Sequence, residues 1–563
     1  MAFDIVGSER HRPDRSPKHP AVRQGKGARP PLIERRATEA AVYDRLARLL
    51  LLLGLGLVVL TFRDYGVTWD EPGLRTYGRM LVDWYASGFT DQRAFEFANL
   101  RYYGGAFDIV ATLLEPVTPL GPYQLRHLLG GLIGLLGLAL TWRLARRLGG
   151  PRAGLLALLL LATLPGWWGH MFFNSKDVPF AVGMLASVLA WARCLEEWPR
   201  PRLRTALLLG LAVGLTMGIR VGGVLLGAYF ALPFLILTAV DARRLGPGAA
   251  ARRLGGGVVR LLPAVPVTLL VLLPAWPWVM LDWRNFFAAL AYLGHFPYGA
   301  DTIFAGRLYP AEALPALYWP TLLVLQLSEV ALAGLLAAFL LLPAAAREQG
   351  GRRPLVLLLI AIAGLFPLLY AVLARPTGYN NIRHFIFVLP PLLVLAALGL
   401  DRVTSLLPHG RRRLAGAAIA AGLLLPVARI VQLHPYEYVY FNDLSGGVKA
   451  AEGRFELDYW GTSFGELGRL VEAKLPHLYD RLGLLPVPAR ICGPFETAQE
   501  VLPPSLLPVY HTSPGRLAIA EAMFFCIEPP PEREIARVER LDVVLSRAFV
   551  VRDGEVFTRF RTP

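Results

Sequence analysis

Two acidic sites in this sequence each lie beside a long apolar run. Asp70 and Glu71 occur in Tyr65-Gly-Val-Thr-Trp-Asp-Glu-Pro72, and Asp177 in Asn174-Ser-Lys-Asp-Val-Pro-Phe180. A carboxylate bounded by apolar helix is partly desolvated, which raises its basicity and suits it to take a proton. Cations stand nearby. Lys176 adjoins Asp177, Arg101 and Tyr102 open Arg101-Tyr-Tyr-Gly-Gly105, Arg220 ends an apolar run, and Arg383-His384 follow Tyr379-Asn-Asn-Ile382. One or two fixed cations are what a phosphate needs, both to hold it and to take up its charge as it leaves. Plainer roles compete. Acidic residues before Pro72 or Val178-Pro179 also suit helix starts, and an Arg at a span end can simply snorkel to the interface.

The elements that position these residues are apolar. Of 563 residues, 54% are hydrophobic and 18% charged, and the mean hydropathy is +0.44. That excludes a disordered chain and argues against an ordinary soluble enzyme. A bilayer core about 30 Å thick needs roughly 20 apolar residues of helix. About eleven runs qualify: 46–62, 124–142, 153–173, 178–195, 203–219, 221–240, 257–280, 317–343, 354–374, 384–401 and 413–432. Pro263, Pro266, Pro274 and Pro277 predict a kink in the seventh.

The net charge of +16, with 58 Lys and Arg against 42 Asp and Glu, would suggest a nucleic-acid partner in a soluble protein. Its placement argues otherwise. Arg143, Arg146, Arg147 and Arg152, then Arg193, Arg200, Arg202 and Arg204, then Arg243, Arg244, Arg252 and Arg253, then Arg347, Arg352 and Arg353, and finally Arg402 and Arg411 to Arg413 fall in alternate loops. They share a side with the basic N-terminal tail, as the positive-inside rule requires of a cytoplasmic face. The surplus is a topology signal, and no nucleic acid is expected. The sequence opens without a signal-type apolar run, so the first span is expected to be an uncleaved anchor.

The expected organisation is a basic, disordered cytoplasmic tail over 1–45, a membrane domain over 46–433, and a small extracytoplasmic α/β domain over 434–563. Within the membrane domain, outer loops span 63–123, with an amphipathic stretch from Pro72 to Trp84, and 281–316, which contains His295 and reads as a mobile flap. In the C-terminal region, strand-length runs at Ala489–Cys492, Leu517–Ile527 and Val543–Val551 alternate with a helical pattern over Phe464–Leu475. Cys492 and Cys526 could pair outside the cytosol; Cys194 is the third cysteine, and no metal-ligand spacing occurs among them.

Carboxylates at the interface point to an enzyme using a lipid-phosphate donor, whereas a coupled transporter needs them at mid-membrane. Glu329, with Gln326, is the one candidate there, predicted near the middle of the eighth span. It keeps a transporter or flippase of a lipid-linked or small solute as the alternative.

The Asp-Glu pair after the first span, the acidic residue between spans three and four, the stretch Leu314-Pro-Ala-Leu-Tyr-Trp-Pro-Thr-Leu-Leu323 and Arg383-His-Phe-Ile-Phe-Val-Leu-Pro-Pro391 together resemble the GT-C glycosyltransferases. Within them the likeness is to the protein O-mannosyltransferase and aminoarabinose lipid A transferase group and its lipopolysaccharide galacturonosyltransferase-like bacterial branch. The resemblance implies a polytopic helical enzyme of the inner membrane that moves a hexosyl or pentosyl group from a polyprenyl phosphate to a lipid, glycan or protein hydroxyl on the extracytoplasmic face, with inversion. It implies Asp70 as general base, Glu71 as the second half of the pair, and Asp177 orienting the acceptor or, with Asp70, holding a divalent metal. Arg383, with Lys176, Arg101, His384 and Tyr102, would bind the donor phosphate. The block from His434 through Gly461 departs from the mannosyltransferase pattern, which leaves the acceptor open.

Overall fold

The computed structural model describes residues 32–348, 351–477, 486–521 and 533–551. The protein is a polytopic helical membrane protein with a small C-terminal α/β region. Among the described residues, eight helices are long and apolar enough to cross a membrane. The pair Pro151–Ala162 and Pro165–Phe173, bent by 66° where Pro165 removes a helix donor, makes a ninth if counted as one span. The 203–219 run is a shorter apolar helix, Leu203–Met217, and the 46–62 run forms the second half of Leu32–Thr61.

Two of these helices lie inside the others. The apolar windows of Asp177–Glu197 and Arg383–Leu406 are 83% and 78% buried by protein, against 6% for Pro247–Ala275 and 11% for His409–Leu433, whose side chains face outward. Close backbone approach helps enclose the second: a Cβ on Gly399 would lie 2.3 Å from the Gly334 carbonyl oxygen of the Glu329–Glu348 helix. Both enclosed helices begin at residues picked out above, Asp177 and Arg383.

Two expectations change, and the 281–316 segment takes on definite structure. Residues from Leu32 onward are helical rather than part of a disordered tail, because Leu32-to-Arg48 is rich in Leu, Ala, Glu and Arg, all good helix formers; residues 1–31 lie outside the description. The 317–343 run breaks at Leu327, whose backbone is extended, and Ser328, whose hydroxyl accepts the Ala331 N–H. Glu329 therefore opens the Glu329–Glu348 helix instead of lying mid-span, and its Oε1 accepts the backbone N–H of Leu444 at 3.2 Å. The 281–316 flap is a helix, Arg284–Gly294, followed by an antiparallel hairpin of β1, Asp301–Phe304, and β2, Arg307–Pro310.

The C-terminal region carries β3 (Val487–Cys492), β4 (Leu506–Tyr510), β5 (Leu517–Glu521), β6 (Glu534–Arg540) and β7 (Val543–Val550) in the order β4-β3-β5-β7-β6. β3 runs parallel to β4 and β5, and β7 antiparallel to β5 and β6. Cys526, weighed as a partner for Cys492, lies outside the described residues. An aromatic layer seats this region on the bundle. Tyr436, Tyr438, Tyr459 and Trp460 are each 1% exposed, and the close approach of Gly169 to the Tyr438 amide leaves no room for a Cβ.

Beneath the first loop, Arg126 of the Pro122–Gly149 helix pairs with Asp108 of Ala106–Leu114, both almost wholly buried. Burial pushes the Asp108 carboxyl up, against the opposing pull of Arg126. Removing one partner strands a buried charge. We expect Asp108→Asn to cost on the order of 3–5 kcal/mol, while the apolar double replacement Asp108→Leu with Arg126→Met stays near neutral. Melting of purified protein in detergent checks both; equal losses would contradict this account.

Candidate active site

Asp70 is the first residue of the helix Asp70–Ala86, and Lys176 immediately precedes the enclosed helix that starts at Asp177. Arg383 Nη1 donates to Asp70 Oδ2 at 2.7 Å, and Lys176 Nζ lies 3.3 Å from the same oxygen. Residues far apart in the chain thus meet at one end of the bundle. Burial alone would raise the Asp70 carboxyl, but the charges and hydrogen bonds of Lys176 and Arg383 outweigh it and hold it well below the usual carboxylate range. Its side chain remains 19% exposed, so the triad is not sealed.

Aromatic rings fix the cations. The Arg383 guanidinium lies 5.0 Å from the Tyr379 ring centre and 5.3 Å from that of Trp460, while Lys176 Nζ lies 5.0 Å from the Tyr103 ring. Tyr103 is held by the loop that carries it: Gly104 N donates to the Ile219 carbonyl, Gly105 N to that of Ala275, and Ala106 N to that of Gly218. Arg220, next along, also approaches the Tyr103 ring, at 5.8 Å, and pairs with Asp177. Asn174 donates to the other Asp177 oxygen at 3.0 Å and accepts the Asp177 N–H at 2.8 Å, which fixes the turn leading into the helix.

Not every predicted site residue joins this cluster. Successive helical residues point about 100° apart, so Glu71 turns away from Asp70. Its Oε2 accepts the Thr68 N–H and hydroxyl at 2.8 and 3.2 Å, and its Oε1 lies 3.0 Å from His127 Nε2, fully buried. Of the acidic pair, Glu71 alone reaches back to the residues before the helix, and it does so through Thr68. Arg101 donates to the Phe95 carbonyl at 2.9 Å and lies against Tyr102 and Trp278. Tyr102 stacks on Tyr292 of the Arg284–Gly294 helix. The His384 ring packs edge-on to Tyr379. His295 is exposed, and the contact from that segment comes from Tyr298, stacked on Tyr379 with ring centres 3.7 Å apart. Tyr379 and Tyr103 lie in the stretches quoted for Arg383 and Arg101, but that their rings and that of Trp460 lie against the cations could not be read from the sequence, where an aromatic ring is ordinary until a cation is known to lie over it.

Two carboxylates, Asp70 and Asp177, face three cations, Lys176, Arg220 and Arg383. One positive charge is left over. The Nε of Arg383 is buried and has no partner among the described residues. The arrangement suits an anion better than a cation. Asp70 and Asp177 are each tied to basic side chains, and among the described residues no group of three or more His, Cys, Asp or Glu is placed to hold a metal. Asp70 and Asp177, each already paired with basic side chains, do not suit a divalent cation.

Residues 127–278 match the family described as dolichyl-phosphate-mannose-protein mannosyltransferase. The resemblance is to the GT-C glycosyltransferases. The matched stretch contains Lys176, Asp177 and Arg220 but not Asp70 or Arg383. Among solved structures, ArnT from Cupriavidus metallidurans is similar both bound to undecaprenyl phosphate (16% identity, 90% of this chain, 97% of that chain, TM-score 0.45) and in the apo state (16%, 91%, 98%, 0.48). The oligosaccharyltransferase AglB from Archaeoglobus fulgidus, in complex with an inhibitory peptide and a dolichol-phosphate, is similar at 14% identity over 85% of this chain and 69% of that chain, TM-score 0.43. No curated protein matches the chain.

Gly104 has no space for a side chain, since a Cβ would sit 2.0 Å from the Gly218 carbonyl oxygen. We expect Gly104→Ala to push the first loop off the end of Leu203–Met217 and carry Tyr103 away from Lys176 and Arg220, at a cost of about 1–3 kcal/mol. A melting curve of the variant checks this, and an unshifted curve would show that the loop is not held as described.

Proposed function

We propose that the chain transfers a sugar from a polyprenyl-phosphate donor to an acceptor hydroxyl, with Asp70 as the general base. The observation that carries the reading is the single Asp70 carboxylate shared by Lys176 and Arg383 at the end of the bundle. The family match over 127–278 supports it, because it includes the stretch that supplies Lys176 and Arg220.

In this reading the donor phosphate takes the two cations from Asp70. Lys176 and Arg383 then pair with the phosphate, and the starts of the two enclosed helices add their positive dipole ends. Asp70 loses the charges that depress it, so its carboxyl rises toward a more basic value just as donor is bound. The acceptor oxygen attacks the anomeric carbon from the face opposite the phosphate, its proton passes to Asp70, and the electron pair of the breaking carbon–oxygen bond leaves on the phosphate. Backside attack inverts the anomeric centre. Asp177, fixed by Asn174 and Arg220, keeps Arg220 directed toward Tyr103 and orients the acceptor side.

Residues 46–433 form the catalytic membrane domain of this proposal, with Asp70 on the extracytoplasmic face of the inner membrane and the N-terminus in the cytoplasm, following the charge of the loops. The 434–563 region is then extracytoplasmic, and the acceptor is a lipid, glycan or protein hydroxyl. The transporter alternative rested on a mid-span Glu329, whereas Glu329 starts a helix.

Asp70→Asn should lower transfer by about 10²–10⁴-fold, the usual worth of a positioned base, while undecaprenyl phosphate still binds at least as tightly as to wild type. Arg383→Ala should instead weaken that binding tenfold or more. Envelope glycolipids and glycoproteins compared by mass spectrometry with and without the gene supply the product to be assayed, and wild-type turnover by Asp70→Asn would overturn the assignment.

A further inference from the structure

Arg383 follows a turn of two asparagines. Asn380 and Asn381 both adopt the left-handed backbone, with φ of +56° and +60°. Asn is the side chain that enters this region most readily after glycine, but usually singly, and two in succession are kept where the surroundings hold them. The holding comes from a distant segment. Glu456 Oε2 accepts the Asn381 N–H at 2.8 Å, and the Glu456 backbone carbonyl accepts Asn381 Nδ2 at 3.0 Å. The Asn380 backbone amide also favours the charged carboxylate. On the opposite side, Gln326 Nε2 donates to Asn381 Oδ1 at 2.9 Å, so every polar group of that side chain is engaged by a neighbour.

The segment carrying Glu456 touches the rest of the site as well. Gly306 N of the β1–β2 turn donates to the Arg454 carbonyl at 3.0 Å, Phe304 pairs with Phe455 across an isolated bridge, and Trp460 lies over the Arg383 guanidinium. Glu456 is thus the one carboxylate of the 454–460 strip joined to the turn that delivers Arg383. It is 2% exposed and makes no ion pair with Arg383, which is bound to Asp70 instead. An acid buried this deeply without a cation partner is costly unless its hydrogen bonds are needed.

We infer that Glu456 is a positioning residue for the donor-phosphate site, acting through the Asn380–Asn381 turn to set where the Arg383 guanidinium lies. The inference rests on the reading of Arg383 as a phosphate ligand. What the turn requires from Glu456 is an acceptor oxygen for the Asn381 N–H, not a negative charge. Burial in fact pushes the Glu456 carboxyl up to about 7, against the hydrogen bonds from Asn381 and Asn380 and the charge of Arg383. The other titratable groups facing it are the hydroxyls of Tyr298, Tyr318 and Tyr459 and the buried carboxyl of Glu521. A neutral acid or an amide still presents a carbonyl oxygen to the N–H.

That distinction makes the test. Binding of undecaprenyl phosphate to the purified full-length protein is measured for wild type, Glu456→Ala, Glu456→Gln, Glu456→Asp and Arg383→Ala, with melting recorded for each. Glu456→Ala should weaken binding about tenfold, Glu456→Gln should restore it to within about threefold of wild type, and Arg383→Ala should weaken it at least as much as Glu456→Ala. If Glu456→Ala does not fold, Glu456→Asp, whose acceptor is drawn back by one methylene, should show a loss of severalfold with a near-normal melt. Wild-type binding by Glu456→Ala or Glu456→Asp beside a weakened Arg383→Ala would overturn the role of Glu456 alone. Undiminished binding by Arg383→Ala would overturn the phosphate site itself. A loss in Glu456→Gln equal to that in Glu456→Ala, with both folded, would show that the charge matters rather than the acceptor.

Discussion

The arrangement depends on one carboxylate oxygen, Asp70 Oδ2, held between Arg383 and Lys176. Two cations at this depth need a counter-charge, because an isolated buried charge is far more expensive than a paired one. Asp70 supplies it. The same pairing makes Asp70 a poor base, since both cations favour its charged form. The proposed chemistry turns this conflict into an order of events: an incoming phosphate is the better partner for the cations, and only its arrival frees Asp70 to take a proton.

The bundle is organised to hold that contact. Of the eight long spans, the two most enclosed start beside the site, so Lys176 and Arg383 are carried on elements packed on nearly every side, whereas the peripheral spans contribute no charge to the triad. Rings from three separate segments, Tyr103, Tyr379 and Trp460, cover the cations and limit their rotamers without adding charge. At the opposite ends of these helices the basic residues are also paired, Arg147 with Glu196 and Arg152 with Asp401, but these pairs are more open, and a surface ion pair contributes little. Charge is spread over open pairs there; at the Asp70 end it is concentrated on one point.

Much of this was legible in the chain. Apolar runs located the helices because a hydrocarbon core imposes their length and composition, and Asp70, Lys176, Asp177 and Arg383 stood out because acidic and basic residues recur together beside such runs, on the side away from the basic loops. What could not be read was direction. Asp70 and Glu71 are adjacent in sequence, yet one faces the cations and the other reaches back to Thr68 and meets His127, a consequence of helical rotation that spacing alone does not orient. Glu329 was misplaced because Leu327-Ser328 interrupts a run whose composition stays apolar. Glu456 lies in Gly453-Arg-Phe-Glu-Leu-Asp-Tyr-Trp460, with no pattern to separate it from neighbouring Asp458, which instead accepts from Thr462, Ser463 and Tyr438. Its partner is a turn more than seventy residues earlier.

The exchange of partners at Asp70 is the central claim, and a structure of the full-length protein determined with undecaprenyl phosphate tests it directly. The account predicts the phosphate within hydrogen-bond reach of both Lys176 and Arg383, with the Asp70–Arg383 contact opened beyond hydrogen-bond distance and the Asp70 carboxylate left facing the acceptor side. A phosphate bound elsewhere, with Asp70 still joined to Arg383 and Lys176, would contradict it.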